Sequence, residues 1–323
     1  MRQVSDDLLS TLHIHPVLVD VGASGSTPEI WEPIARHSVY VGFDPDRRDI
    51  QEIPAGHFYK AWIVNRAVTS DPAHAEERFY LTKSPYCSST LKPDADSLAN
   101  YIFADLFTVE KETTVGATTL DAVVQRLALR SIDWFKTDSQ GIDLRLFESL
   151  SDALRARVLV VDLEPGLVDA YLGEDLFAEV HNSLIRQGFW LSHMEVQGTV
   201  RMRNSTLEQL AAGHCLSYDL ISRAVKSSPA WCEVRYMRTL KWLARGDFSK
   251  RDYVLAWVLA CLDMQLGFAL DLGLEYEQRF GADAVSPILK KEPIARMKKS
   301  CDQLSLAHAR SWPIRIFRRI IHN

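Results

Sequence analysis

Short apolar runs alternate with amphipathic segments along the first two thirds of the chain. Four of these runs predict buried strands, at residues 17–19, 39–43, 132–135 and 158–163. Further strands are predicted at His57–Val64 and Phe79–Leu81, and helices at Asp49–Pro54 and Ile142–Leu150. The segments between them carry helical periodicity and turn residues. Because strands that alternate with helices form parallel sheets with right-handed crossovers, the pattern predicts an α/β fold with a doubly wound, mainly parallel sheet.

The stretch from Val17 to Asp46 contains the most informative part of this pattern. A first strand contains Asp20 and is followed by the small-residue turn Gly22-Ala23-Ser24-Gly25. A predicted helix with Pro28 in its first turn comes next, and a second strand ends in Asp44. This order opens many nucleotide-binding sheets. Its glycines let a ligand approach the backbone, and the final carboxylate can accept both hydroxyls of a ribose.

The glycine turn favours a nucleoside ligand without phosphate groups. A dinucleotide site has the pattern G-x-G-x-x-G and a pyrophosphate on a helix N-terminus. This chain has only Gly22-x-x-Gly25, preceded by Asp20, whose negative charge would lie near a phosphate. The ammonium and sulfonium groups of S-adenosylmethionine suit that acid better. Two alternatives stay open: a nicotinamide-dependent oxidoreductase, and a non-catalytic scaffold whose C-terminal helices form the binding surface.

Further motifs follow in the same order as those of a known family. They are Asn65-x-Ala67-Val68, Ser88-Ser89-Thr90-Leu91, Leu120-Asp121, Lys136-x-Asp138-x-Gln140-Gly141, a strand ending at Glu164, and Gly188-Phe189. Together they resemble the FkbM family of S-adenosylmethionine-dependent methyltransferases, roughly from Val17 to His193. The departure is Gln140, where the family more often has glutamate.

The resemblance implies a Rossmann-like fold and an O-methyltransferase. Family members mostly methylate hydroxyl groups of sugars, glycolipids or secondary metabolites, so we expect a glycan or a small hydroxylated molecule as the acceptor. The Asn/Asp-Pro-Pro-aromatic motif of adenine and cytosine N-methylating enzymes is absent from the sequence.

Candidate site residues follow from these motifs and from the ends of the predicted strands. We expect the cofactor to contact Asp20, Gly22, Ala23, Ser24, Gly25, Asp44 and Ala67. We expect Asp138 to lie nearest the transferred methyl group, near Lys136, with Glu164 and His193 as alternative bases or acceptor ligands. The two carboxylates and the histidine could equally hold a divalent metal ion, and their spacing does not decide this.

The chain changes character near residue 204. Apolar residues at three-residue steps predict a long amphipathic helix that begins at Pro229, and a partner helix over Arg251–Leu272. We therefore expect a Rossmann-like domain at residues 1–203 and an α-helical extension at 204–323. The extension would pack on the sheet or on another subunit of a homo-oligomer, or bind a partner or large acceptor.

Arginines alternate with apolar residues near the C-terminus, from Trp312 to Ile321. A peripheral contact of residues 311–323 with an anionic membrane would explain this pattern. Docking of the tail on the helical extension explains it equally well, and we favour docking.

Composition narrows the class of protein. A net charge of -5 and a pI near 6.1 argue against nucleic-acid binding. Five scattered cysteines without a C-x-x-C pair indicate a reducing compartment and no zinc site. The first ten residues lack the apolar core of a signal peptide, and the longest apolar run, Val254–Leu262, is too short to span a bilayer. We expect a cytoplasmic protein, located at the inner face of the membrane if the tail binds lipid.

Overall fold

A computed structural model describes residues 2–45, 54, 56–214 and 216–321, with side chains described for all of these except 2, 3 and 305–321. The chain divides into two compact units. One comprises residues 9–239, which we call the sheet unit, and the other comprises residues 1–8 with 240–323, which we call the helical unit.

Ten strands are present in the described residues. They are β1 (Val17–Val21), β2 (Val39–Phe43), β3 (Lys60–Val64), β4 (Ala67–Val68), β5 (Glu76–Thr82), β6 (Val109–Thr118), β7 (Trp134–Thr137), β8 (Val160–Leu163), β9 (Phe189–Thr199) and β10 (Ser228–Arg238). The α-helices up to residue 239 are α1 (Arg2–Thr11), α2 (Ala95–Leu98), α3 (Leu120–Arg126), α4 (Asp143–Glu148), α5 (Asp152–Arg155), α6 (Phe177–Arg186), α7 (Asn204–His214) and α8 (Tyr218–Ala224).

Seven strands form the main sheet in the order β3-β2-β1-β7-β8-β10-β9. The first five are parallel, and β10 runs antiparallel to both of its neighbours. The chain passes outward from β1 on one side and from β7 on the other, so the topological switch point lies between these two strands. In such sheets, ligands bind at the carboxyl ends of the strands on either side of the switch point. The predicted mainly parallel α/β fold is confirmed.

Large aromatic residues pack in the sheet unit. The rings of Trp31 and Trp134 meet edge to face at 5.8 Å, and Trp31 meets Tyr40 in the same way at 6.2 Å. All three side chains are essentially inaccessible to solvent. Every residue of β1 and β2 is buried, as expected for parallel strands that are covered on both faces.

A row of alternating charges crosses four adjacent strands of the main sheet. Asp20 on β1, Lys136 on β7, Asp162 on β8 and Arg235 on β10 stand opposite one another in the strand register. The Lys136 Nζ lies 2.8 Å from an Asp20 oxygen, and the Arg235 Nε lies 2.8 Å from an Asp162 oxygen. We call these four residues the charge row.

A second, three-stranded sheet has the order β4-β6-β5. The strand predicted at Phe79–Leu81 is thus confirmed, but it lies in β5 and pairs antiparallel with β6. β6 was not predicted, because its sequence VEKETTVGAT is too rich in charged and polar residues to show a buried face. Residues 83–108, between β5 and β6, include α2 and two 3-10 turns, Pro85–Cys87 and Ala104–Phe107.

The predicted helix after the glycine turn is wrong. Residues 29–37 form two short 3-10 turns, Glu29–Trp31 and Ala35–His37. Pro33 stands between them, and a proline inside a helix removes a backbone hydrogen bond and clashes with the preceding turn. The short helix predicted over Asp49–Pro54 lies outside the described residues, apart from Pro54.

The helix predicted to begin at Pro229 is also wrong. Residues 228–238 form β10, a central strand of the main sheet. Its buried residues Ala230, Cys232, Val234 and Tyr236 alternate with period two, as strand residues do. In the sequence, apolar residues at three-residue steps also match a helix, and the period-two alternation was therefore overlooked. The sheet unit therefore extends to Thr239 and includes residues 204–239, which the sequence had assigned to the helical extension.

The helical unit contains α9 (Leu240–Arg245), α10 (Lys250–Leu262), α11 (Leu266–Phe280) and α12 (Ser286–Ile321). The single helix predicted over residues 251–272 is in fact α10 and α11, with Met264 at φ +57° between them. A capping box of Ser249 and Asp252 begins α10. The Trp257 indole nitrogen donates to the carbonyl oxygen of Leu289 at 2.9 Å and so connects α10 with α12.

α12 continues to Ile321, but the side chains of the predicted membrane-binding or docking tail lie outside the described residues. Among the described residues, no helix has both the length and the apolar content needed to cross a bilayer.

Replacement of Lys136 by methionine should destabilise the sheet unit by about 3 kcal/mol. The substitution leaves Asp20, which is 2% exposed, without its cation. Removing one partner of a buried ion pair costs about 3–5 kcal/mol. We expect a value at the lower end of this range because the Lys136 side chain is 26% exposed. Guanidinium unfolding followed by tryptophan fluorescence measures the change.

Lys92→Met, at an exposed lysine, is the matched control and should change the unfolding free energy little. The double variant Asp20→Asn with Lys136→Met should recover most of the loss, because no buried charge then lacks a partner. Equal stability of Lys136→Met and the wild type would contradict a structural role for the charge row.

Candidate functional site

A cavity of about 400 Å³ lies at the carboxyl ends of the central strands, at the topological switch point. We call it the strand-end cavity. Its walls come from the turns after β1, β2, β7 and β8, from β4 and β5, from residues 84–107, and from β10. All of these belong to the sheet unit. We describe its lining as two halves. One half contains the glycine turn, Asp44 and residues 66–68, and the other contains aromatic and acidic residues.

Gly22 fixes the contact between the ends of β1 and β7. Its φ is +78°, and a Cβ atom at this position would lie 2.2 Å from the carbonyl oxygen of Asp138. No side chain fits at such a distance, so the close approach of the two strand ends requires glycine. Gly22 and Ser24 line the cavity. Gly25 also has a positive φ of +74° but, like the buried Ala23, does not belong to the wall.

Asp44 lies in the wall directly after β2 and is 6% exposed. Its carbonyl oxygen accepts a hydrogen bond from the Asn65 side-chain amide at 2.8 Å, which joins the ends of β2 and β3. Arg66 and Ala67 follow in the wall, and Phe79 on β5 lies in the same lining. An acid, an arginine, two small apolar residues and an aromatic ring thus lie along one half of the cavity, and the Asn65-x-Ala67-Val68 motif supplies the middle of this row.

Asp20 and Lys136 lie within the sheet rather than in the cavity wall. Asp20 accepts hydrogen bonds from the Tyr40 hydroxyl at 3.0 Å and from Lys136 at 2.8 Å. Burial alone would lower the pKa of Lys136, but the carboxylates of Asp20 and Asp138 outweigh it and raise that pKa. Lys136 is therefore a permanent cation close to the cavity wall. It is paired with Asp20, the acid that the sequence had assigned to the cofactor.

Three acids line the opposite half of the cavity: Asp138, Glu164 and Glu174. Burial, the Asp138 charge and a hydrogen bond with Asp138 raise the pKa of Glu164 to about 10. Glu164 is accordingly a protonated carboxylic acid at neutral pH. Burial also raises the pKa of Glu174 to about 7, although its side chain accepts hydrogen bonds from the backbone nitrogens of Ala170 and Tyr171.

Asp143 connects the ends of β7 and β8, and sequence reasoning missed it. This buried residue in the first turn of α4 accepts hydrogen bonds from the Thr137 hydroxyl at 3.1 Å and from the Ser139 backbone nitrogen and hydroxyl. Its second oxygen accepts from the Glu164 backbone nitrogen at 2.9 Å. Burial raises the pKa of Asp143 to about 6. The only sequence signal was an acid in the first turn of a predicted helix, which occurs in many helices.

Aromatic residues complete the acidic half of the cavity, and these too were missed. Phe103, Phe107, Tyr171 and Trp231 belong to its wall. Phe103 and Trp231 stack at 6.3 Å, and Phe107 meets Tyr171 edge to face at 5.6 Å. They come from two separate loops and from β10, so no local pattern could bring them together.

His193 is exposed on β9 and does not belong to the cavity wall, so its assignment as a base or acceptor ligand is corrected. The register places it beside Arg235, on an edge strand of the main sheet. Among the side chains that the structure describes, no group of three or more histidine, cysteine, aspartate or glutamate residues is placed to hold a metal ion.

The fold and the site define a Rossmann-like α/β protein with a ligand cavity at its switch point. Residues 40–191 match the family model described as the methyltransferase FkbM domain. The resemblance seen in the sequence is confirmed over this range, and it supports a methyltransferase. No curated protein matches the chain.

The protonated state of Glu164 predicts a pH dependence of stability. The unfolded chain releases this proton near the ordinary pKa of 4.5, and the folded protein releases it near 10. Between these values the folded state binds more protons, so this residue makes the unfolding free energy fall as pH rises, by up to about 1.4 kcal/mol per pH unit.

Glu164→Gln should remove this contribution, so that its unfolding free energy falls less steeply between pH 6 and pH 8 than that of the wild type. Glu179→Gln, at an exposed position on α6, is the control and should keep the wild-type slope. Denaturant unfolding at several pH values measures both, and identical slopes for Glu164→Gln and the wild type would exclude a buried proton on Glu164.

Proposed function

We propose that the protein is an S-adenosylmethionine-dependent O-methyltransferase whose acceptor is a hydroxyl group on a glycan, a glycolipid or a small hydroxylated metabolite. One observation carries the proposal. Asp138 lies in the acidic half of the strand-end cavity, and its backbone carbonyl oxygen lies directly beside Gly22 of the glycine turn. A carboxylate at this point can face both a methyl donor on one side and a hydroxyl acceptor on the other.

The first half of the cavity fits the cofactor. The methionine part would lie along the glycine turn at Gly22 and Ser24, the ribose hydroxyls at Asp44, and the adenine beside Ala67 and Phe79. The acids Asp44 and Asp138 suit a ligand that has ammonium and sulfonium groups. They oppose the pyrophosphate of a nicotinamide dinucleotide, and the family of the domain likewise supports methyl transfer rather than hydride transfer.

The second half of the cavity fits the acceptor. Phe103, Phe107 and Trp231 offer apolar faces on which the C–H groups of a sugar ring or another ring can pack. The same rings exclude water from the reacting atoms. The protonated Glu164 can donate a hydrogen bond to an acceptor oxygen, and Asp138 can accept the proton of the attacking hydroxyl.

When bound, S-adenosylmethionine supplies a methyl group that is already activated for displacement. The contribution of the chain is therefore mainly alignment of the acceptor oxygen, together with removal of its proton. Asp138 would accept that proton from the acceptor hydroxyl as the hydroxyl oxygen takes up the methyl group. A general base of this kind contributes about 10²–10⁴-fold to the rate.

The partners of the protein and its location are also proposals. A lipid-linked acceptor would fit a basic C-terminal tail that contacts an anionic membrane through residues 311–323. The helical unit would then bind a large acceptor or pack against a second subunit. The net charge of -5 favours these partners over nucleic acid.

Asp44→Ala should weaken binding of S-adenosylmethionine about ten- to a hundredfold, because a charged hydrogen-bond acceptor for two ribose hydroxyls is lost. Isothermal calorimetry measures the affinity. Asp302→Ala, at an exposed aspartate of α12, is the control and should bind as the wild type does. Unchanged affinity in a folded Asp44→Ala protein would remove Asp44 from the site, and the absence of binding in the wild type would overturn the proposed function.

Asp138→Asn should lower the rate of methyl transfer at least about a hundredfold, since asparagine cannot accept the proton of the hydroxyl. Single-turnover transfer of a labelled methyl group to a panel of alkyl glycosides measures the rate. The affinity for S-adenosylhomocysteine, measured in parallel, should remain near the wild-type value. A nearly normal rate would exclude Asp138 as the base.

A further inference from the structure

The main chain of Gln140 is held in an unusual conformation. Its φ is +56°, in the left-handed region that residues other than glycine rarely adopt. The Ser89 hydroxyl donates to the Gln140 carbonyl oxygen at 2.6 Å, and the Asp175 backbone nitrogen donates to the next carbonyl, that of Gly141, at 2.8 Å. The loops that contribute Ser89 and Asp175 thus hold the strand-end turn on both sides.

The Gln140 side chain connects Asp138 with Tyr171. Its amide nitrogen donates to Asp138 Oδ1 at 2.6 Å, and its amide oxygen accepts from the Tyr171 hydroxyl at 2.9 Å. Tyr171 is 3% exposed, and its hydroxyl also lies 2.9 Å from the Cys87 carbonyl oxygen. The hydroxyl has one proton, which it shares between these two oxygens, and the Gln140 amide nitrogen is left to donate to Asp138.

Titratable groups surround Asp138, the carboxyl group to which Gln140 donates. Those that interact with it are Asp20 on β1, Lys136 on β7, Asp143 on α4, Cys87 in the 3-10 turn, Glu164 after β8 and Tyr171 in the loop that follows. Lys136 is the one cation in this set, and the others are acids. A carboxyl group at position 140 would therefore meet mainly acidic neighbours, which disfavour its ionised form.

We propose that Gln140, held between Tyr171 and Asp138, is a positioning residue that fixes the orientation of the Asp138 carboxyl group in the cavity wall. Its role in methyl transfer rests on the proposed function, in which Asp138 is the base. The hydrogen bonds of Gln140 in the free protein do not depend on that function.

The position requires a side chain that donates on one side and accepts on the other. An amide does this without charge. A glutamate, the residue that the family more often has here, can do so only in its protonated form, because an ionised carboxylate only accepts. We therefore expect the Gln140→Glu protein to bind one additional proton at neutral pH.

The test compares the pH dependence of unfolding between Gln140→Glu and the wild type. One additional proton in the folded state should make the unfolding equilibrium constant rise about tenfold more per pH unit between pH 6 and pH 8. Gln125→Glu, at an exposed glutamine of α3, is the matched control and should keep the wild-type slope. A merely structural role of Gln140 would lower stability equally at every pH. Equal slopes for Gln140→Glu and Gln125→Glu would overturn the proposal.

The unfolding measurement uses neither a cofactor nor an acceptor. A failure here is therefore distinct from a failure to bind S-adenosylmethionine.

Discussion

The charge row determines the register of the main sheet. Asp20, Lys136, Asp162 and Arg235 alternate in sign across four neighbouring strands. Because side chains alternate between the faces of a strand, a slip of one residue would move a charge to the other face and away from its partner. An unpaired buried charge costs several kcal/mol, whereas many apolar residues of similar size tolerate exchange. The correct register in turn brings Gly22, Asp138 and Glu164 to one edge of the sheet.

The strand-end turns are held by contacts that depend on this register. Gly22 lets the ends of β1 and β7 touch, and Asp143 joins the ends of β7 and β8 through a buried carboxylate. Gln140 then links the turn to Tyr171 in the loop after β8. Asp138 and Glu164 are thus positioned by hydrogen-bonded neighbours, of which Asp143 and Tyr171 are buried. Such rigid support is what a reaction that depends on alignment requires.

The two halves of the cavity have different origins in the chain. The glycine turn, Asp44 and the strand ends belong to the sheet that defines the methyltransferase fold. The aromatic half includes Phe103 and Phe107 from the segment between β5 and β6, and Trp231 from β10. Loops vary more readily than the sheet they surround. Under the proposed function, the loop residues of the aromatic half would therefore select the acceptor.

The sequence by itself determined the alternation of strands and helices, the glycine turn, and the acids at the strand ends, since each depends on residues close together in the chain. It misassigned β10, because apolar residues at three-residue steps matched a helix while the alternation that fits a strand was overlooked. Only the tertiary structure decided the roles of Asp143, Tyr171 and Trp231 and excluded His193 from the cavity. Those contacts join residues that are distant along the chain, and local sequence patterns do not show which distant loops come into contact.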